Sequence, residues 1–290
     1  SETIGHMFTI QPYNDATAWS AKFLKEANKE DLVFDLKEIR DSWYDRVDYD
    51  VITRMFSNTE HSVGSSGYSP GWAIGTGTNL NYIPPNWMGK TFSSSHTHFK
   101  YTAATISSTN ALTAMKDAAS NLAEHGITAD KVALVSEADV AVYQGMSGFI
   151  TLYPEKVQVN TGASDILRVY GQTEGVPGEI FGYLNTLHGM VELRYHVRIP
   201  TGYFWMGKSY GVNDMRNPLA IRYNPNVGPN NTGGFGMFVK PQIDSGLVPE
   251  LDHLKFDAEH GVNVNNRLNG VVYEIKNGIS GYENPDISSS

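Results

Sequence analysis

Apolar and polar positions change their period twice between residues 107 and 146, and this block organises the rest of the chain. Leu112, Met115, Ala119 and Leu122 recur at helical spacing behind the hydroxyls of Ser107, Ser108 and Thr109, which suit the free amides of a first turn. Gly126 follows as a left-handed stop, and His125 sits where a helix C-terminus favours positive charge. The spacing predicts a helix over 108–125, about 17 residues and so roughly 26 Å long, with one dry side. A short apolar run over 131–136, KVALVS, reads as a strand, and 137–146 as a second helix whose Val140 and Tyr143 pack back on it.

The flanking patterns differ. Residues 1–14 carry little periodicity and read as a mobile arm; Asp15 then caps a short helix in which Trp19, Phe23, Leu24 and Ala27 share a face. Over 31–56, Leu32, Leu36, Ile39, Trp43, Val47, Val51 and Met55 predict a longer helix. From 57 to 95 the chain turns to Gly, Ser, Asn, Thr and Pro, with Trp72, Tyr82, Trp87 and Phe92 scattered through it; so long a loop without regular structure is uncommon unless it works as a functional loop or an arm. SHTHFKYTAAT, 95–105, returns as a strand. Beyond Met146 the chain is β-rich: short strands over 149–153, 156–160 and 166–170, a strand and connection from Gly178, a long strand over 191–199, a turn over 200–202, and strands over 203–206 and 217–223. A turn-rich break spans 224–236; 251–276 divides at Gly261 into two strands, and the tail from Asn277 is expected to be loosely held. The fold class is α+β.

Composition narrows the chemistry. With no cysteine among 290 residues, disulfides, thiol catalysis and thiolate metal sites are excluded. The formal charge of −9, from 22 basic and 31 acidic residues without a basic cluster, disfavours nucleic-acid binding as the main task. No apolar run approaches the ~18 residues of a membrane span, and the first residues lack the pattern of a signal peptide.

His96 and His98, two apart on a strand, point the same way and could share an ion, with His188 or His196 as a third ligand. No second metal motif supports this, so the pair is read as packed or hydrogen-bonded, and no metal or cofactor is expected. No GxSxG, SxxK, phosphate cradle or placed carboxylate pair is present. A chain with aromatic loops and no catalytic constellation is suited to contact, and Trp72, Tyr82, Trp87, Lys90 and Phe92 are the candidate intersubunit residues.

The order of these elements resembles the major capsid proteins of tailed bacteriophages, of the Hong Kong 97 type. The residues that carry the resemblance are the helix closed by Gly126, ALVSEADVAVYQGM, GEIFGYLNTL leading to VRIPTGYFWMGKSYG, and LKFDAEHGVNVNNRLNGVVYEI. It implies an N-terminal arm with helices over 1–56 and an extended E loop over 57–106. A P domain is implied over 107–131 and 237–290, with a spine helix at 108–125 and closing strands at 251–276, and an A domain over 132–236. The spine is shorter, and the N-terminal part more helical, than the family's pattern. Some members cross-link the E loop through a Lys and an Asn; Lys90 lies in the corresponding loop, with no partner assigned.

The implied function is non-enzymatic. The chain would assemble with itself as hexamers and pentamers of a virion shell in the host cytoplasm, with portal, scaffolding and decoration proteins as further partners, and with neither specific nucleic-acid recognition nor a membrane. Two alternatives stay open: an encapsulin-type cellular shell protein, and a metal-dependent or glycan-binding β-rich protein.

Overall fold

The computed structural model describes residues 10–20, 26, 28–59, 61–63, 67–76, 82–128, 130–151, 177–224, 236–243 and 251–287. The expected strands at 156–160 and 166–170, most of the 224–236 break, and Phe23, Leu24 and Ala27 lie outside these residues.

A mixed seven-stranded sheet carries the core. Its strands are β4 (Phe99–Thr102), β5 (Lys131–Ser136), β6 (Phe149–Thr151), β7 (Glu179–Thr186), β8 (Gly189–His196), β9 (Tyr203–Gly207) and β13 (Val271–Ile275), in the order β4-β13-β9-β5-β8-β7-β6. KVALVS is a central strand and all six of its residues are buried, which is why it reads as a continuous apolar run. The helix Ser108–Ala123 packs on this sheet through Ala111, Ala114, Met115, Ala118, Ala119 and Leu122. The small alanines broaden the dry face beyond the Leu and Met positions and let the helix lie close. Ser107 Oγ accepts from the Asn110 amide at 3.2 Å at its start, and Gly126, at φ 81°, closes its end. The expected helix over 137–146 is a 3-10 turn, Glu137–Asp139, continued by Val140–Gln144, with Tyr143 buried against Phe204.

A second, four-stranded sheet is built on β12 (Leu251–Val264), which pairs with β1 (Gln11–Ser20) on one side and with β10 (Leu219–Tyr223) and β11 (Phe238–Ile243) on the other. Three expectations are corrected here. Residues 11–20, expected as the end of an arm and the start of a short helix, are one strand, because Tyr13, Asp15, Thr17 and Trp19 alternate onto a half-buried face and the strand finds its partner at 251–260. Gly261 does not divide the closing strands, since it stays extended and pairs with Arg222; the break falls after Val264. The tail after Asn277 is held: Ile279 and Ile287 are buried, and Tyr282 Oη donates to the Phe56 carbonyl at 2.5 Å.

The long helix α1 (Lys29–Phe56) lies over both sheets. Trp19 Nε1 donates to Asp35 at 3.0 Å from β1, and on the other side the Arg198 guanidinium donates to Asp45 and to Asp48 (3.1 Å). Its C-terminal residues Ile52, Met55 and Phe56 enter a second core cluster with Trp72, Phe99, Trp205 and Val272.

Candidate functional site

The described residues between Ser57 and Ser95 include a buried root around Trp72 and an exposed tip. Ahead of the root, β2 (His61–Val63) and β3 (Gly67–Ser69) pair antiparallel, so the segment has more regular structure than its composition suggests. Two buried arginines then tie the chain down. Arg54 donates to the carbonyls of Thr59 (3.0 Å) and Pro70, and Arg267 donates to the Gly71 carbonyl at 3.0 Å. Both use backbone acceptors that an irregular segment would otherwise leave unpaired. Neither arginine carries a sequence signal, because backbone carbonyls of an irregular segment are acceptors that no residue type marks, and Arg267 reaches its own from 196 residues away.

Trp72 sits in this root with none of its surface exposed, its Nε1 donating to the Met55 carbonyl at 2.7 Å and its ring 6.1 Å from Trp205. Its expected role in intersubunit contact is therefore corrected: it is a core residue of its own subunit. Tyr82 is half-buried beneath the Arg267 guanidinium, 4.8 Å from the ring centre.

The tip is a tight hairpin. Trp87 and Lys90 exchange backbone hydrogen bonds of 3.1 and 2.8 Å across Met88 and Gly89, both at positive φ, the geometry of a two-residue primed turn. Met88 is not glycine, adopts φ 45°, and leaves 90% of its surface exposed, while Trp87 is 49% exposed. A strained turn that thrusts an apolar side chain into solvent is an unusual use of stability. Met88 was not singled out from the sequence; its exposure follows from the turn geometry and not from residue type. Lys90 reaches Glu124 at 2.9 Å, an exposed pair.

Behind the tip lies a cluster of three histidines. The expected strand over 95–105 is confined to Phe99–Thr102; His96 and His98 precede it, either side of Thr97, which makes an isolated bridge to Ile74, and their rings turn to the same side, where the third member is His125, just past the helix end. The Nε2 atoms stand 3.1 Å (His96 to His98), 3.0 Å (His98 to His125) and 3.1 Å (His96 to His125) apart. His98 is fully buried and its Nδ1 donates to the Gly270 carbonyl at 2.7 Å, which leaves its Nε2 as an acceptor. Phe92 caps the cluster, stacked on His125 at 4.7 Å and edge-on to His96 at 4.8 Å.

Burial holds His98 well below the ordinary imidazole range, with the neighbouring His125 adding to the effect and the Gly270 carbonyl opposing it. Burial and then His96 lower His125 to about 4 against the opposing Glu124 carboxylate; His96 is lowered by burial too. Burial thus opposes the positive charge on His125 that its place at the helix end led one to expect. His188 and His196 serve elsewhere: the His188 carbonyl accepts from Lys131 Nζ at 2.6 Å, and His196 Nε2 meets Asp48 at 3.1 Å.

No family model and no curated protein matches this chain. Solved structures do. A chain from Mycobacterium phage Patience is similar at 17% identity, with a TM-score of 0.68 over 97% of this chain and 72% of that one. A chain of the capsid of Ralstonia phage GP4 has 13% identity and a TM-score of 0.49, covering 97% of this chain and 76% of its own. One from the holo-SrpI encapsulin complex of Synechococcus elongatus has 11% identity and a TM-score of 0.49, covering 96% and 77%. The chain therefore shares its fold with the Patience phage chain.

Proposed function

We propose that this chain is a major capsid protein, a subunit that assembles with copies of itself as hexamers and pentamers into the icosahedral shell of a tailed bacteriophage. The observation that supports this reading is the fold, shared with the Patience chain over 97% of this one. The exposed hairpin adds to it. Apolar tips such as Trp87 and Met88 are a liability on a monomer and become useful when laid on a neighbour in a closed symmetric assembly.

In this reading residues 57–106 form the E loop, residues 107–131 and 237–290 the P domain and residues 132–236 the A domain, while the strand at 11–20 belongs to the body instead of a free arm. Trp87, Met88, Lys90 and the exposed edge of Phe92 face the neighbouring subunit; Tyr82 supports them from within. The formal charge of −9 suits a wall that encloses DNA without gripping its phosphates. The work is contact, and no catalytic role is assigned.

Electron microscopy of the purified protein tests this. Closed icosahedral shells are expected, and phage particles should carry nuclease-protected DNA. Shells that enclose an enzyme and no genome would instead indicate an encapsulin-type compartment, and a compact monomer under all assembly conditions would refute both.

A further inference from the structure

The three-histidine cluster is unexplained by shell assembly, and its hydrogen bonding does not close. Three Nε2 atoms lie within 3.0–3.1 Å of one another, yet His98 can only accept there because its Nδ1 donates to Gly270. One imidazole lone pair takes one well-aligned hydrogen bond. If His96 and His125 both direct N–H groups inward, one of them lacks an aligned acceptor; if either is turned, two bare lone pairs face each other. A cation resolves this, because it accepts electron density from all three.

We propose that His96, His98 and His125 form a structural binding site for a divalent transition-metal ion of the zinc type. Zinc–imidazole bonds of about 2.0–2.1 Å in a tetrahedral array place the nitrogens about 3.3 Å apart, so the rings need to separate by only a few tenths of an ångström. The donor set, three neutral imidazoles without thiolate, suits zinc and its neighbours in the first transition row and not calcium or magnesium. The Gly270 carbonyl on His98 Nδ1 is the kind of outer contact that fixes the tautomer of a metal-binding histidine. Phe92 shields the cluster.

Access and a fourth ligand are also provided. A cavity of about 380 Å³ is lined by His96, Asn121 and Glu124. The Asn121 side chain is buried, and its Oδ1 has no hydrogen-bond partner among the described residues. A metal-bound water in this cavity would satisfy it; the other charges lining the cavity are paired, Glu124 with Lys90 at 2.9 Å and Lys100 with Asp117 at 2.8 Å. Bound there, the metal fastens the segment carrying His96 and His98, just before β4, to the end of the helix Ser108–Ala123, and so fixes the base from which the Trp87–Lys90 hairpin projects.

Protein purified without an affinity tag or metal column, stripped with EDTA and titrated with Zn²⁺, is expected to bind one ion per chain and to unfold at a higher temperature when loaded. His96→Gln and His125→Gln should each weaken binding by at least the roughly 10–100-fold that loss of an outer-shell partner alone produces. X-ray absorption of the zinc-loaded parent should show three imidazole ligands, a measurement that stands even if a variant misfolds. Substoichiometric zinc, fewer than three imidazoles, or unchanged affinity in both variants would overturn the proposal. All of these readouts are made on the subunit, so failure to assemble into shells is a separate result.

Discussion

Trp72 and Trp87 belong to one loop and have opposite fates, which makes them a test at the scale of single residues. Trp72 is sealed between Met55 and Trp205, so Trp72→Ala should cost the subunit about 3–5 kcal/mol in denaturant unfolding. Trp87 is half exposed, so Trp87→Ala should leave unfolding of dissociated subunits nearly unchanged while shell yield falls sharply. Equal loss of subunit stability in the two variants would remove Trp87 from the interface. Gly126 couples to the same ring. It needs a positive φ of 81°, and a Cβ there would meet Trp87 Cζ2 at 3.1 Å. Gly126→Ala should therefore cost about 1–2 kcal/mol from backbone conformation, plus a steric part. In a Trp87→Ala background thermal unfolding should recover only the steric part, and a cost unaltered by that background would show that the indole does not press on Gly126.

At the scale of elements, α1 is joined to the end of β8 by charge as well as by packing. The Arg198 side chain is 9% exposed and bonds Asp45 and Asp48, and His196 shares Asp48. Asp48 is itself partly solvated, and Asp45 remains when it is removed, so the pair is worth less than a buried one. Asp48→Ala is expected to cost about 1 kcal/mol, the low end of the range for stranding a buried donor, since Arg198 keeps Asp45, with little dependence on salt in urea unfolding. A loss that disappears at high salt would mark the contact as a screened surface pair. The helix itself was legible from its apolar spacing, whereas these acceptors were not. Asp45 and Asp48 resemble any solvated helix carboxylates until the fold brings Arg198, 150 residues later than Asp48, against them.

For the whole molecule, the expected readout is assembly. Closed shells in micrographs, lost on Trp87→Ala, would join the fold to the function. The zinc site acts at this scale too: EDTA should soften the shell by releasing the loop root, seen as a lower temperature of shell disruption that Zn²⁺ restores. Chelator-insensitive shells would confine the ion to a role within the free subunit.

What the sequence by itself determined is whatever rests on neighbours along the chain. The helix ending at Gly126 follows from period and a glycine stop, KVALVS from its unbroken apolar run, and the aromatic strand after Pro200 from turn chemistry. The order of these pieces was enough to suggest the capsid fold. Tertiary structure decided what depends on partners far away. Tyr13 to Trp19 is a strand because residues 251–260 pair with it, and Trp72 is core because Trp205 packs against its ring and Arg267 holds the Gly71 carbonyl beside it. The spacing of His96 and His98 predicted a shared side of a strand; they fall just before β4 instead, and their third member comes from His125, which looked like a charged helix end. Period and propensity are local energies that sequence displays directly. Burial, and with it the neutral state of His125, is set by the surfaces that meet when the chain closes, and only the folded molecule shows which ones do.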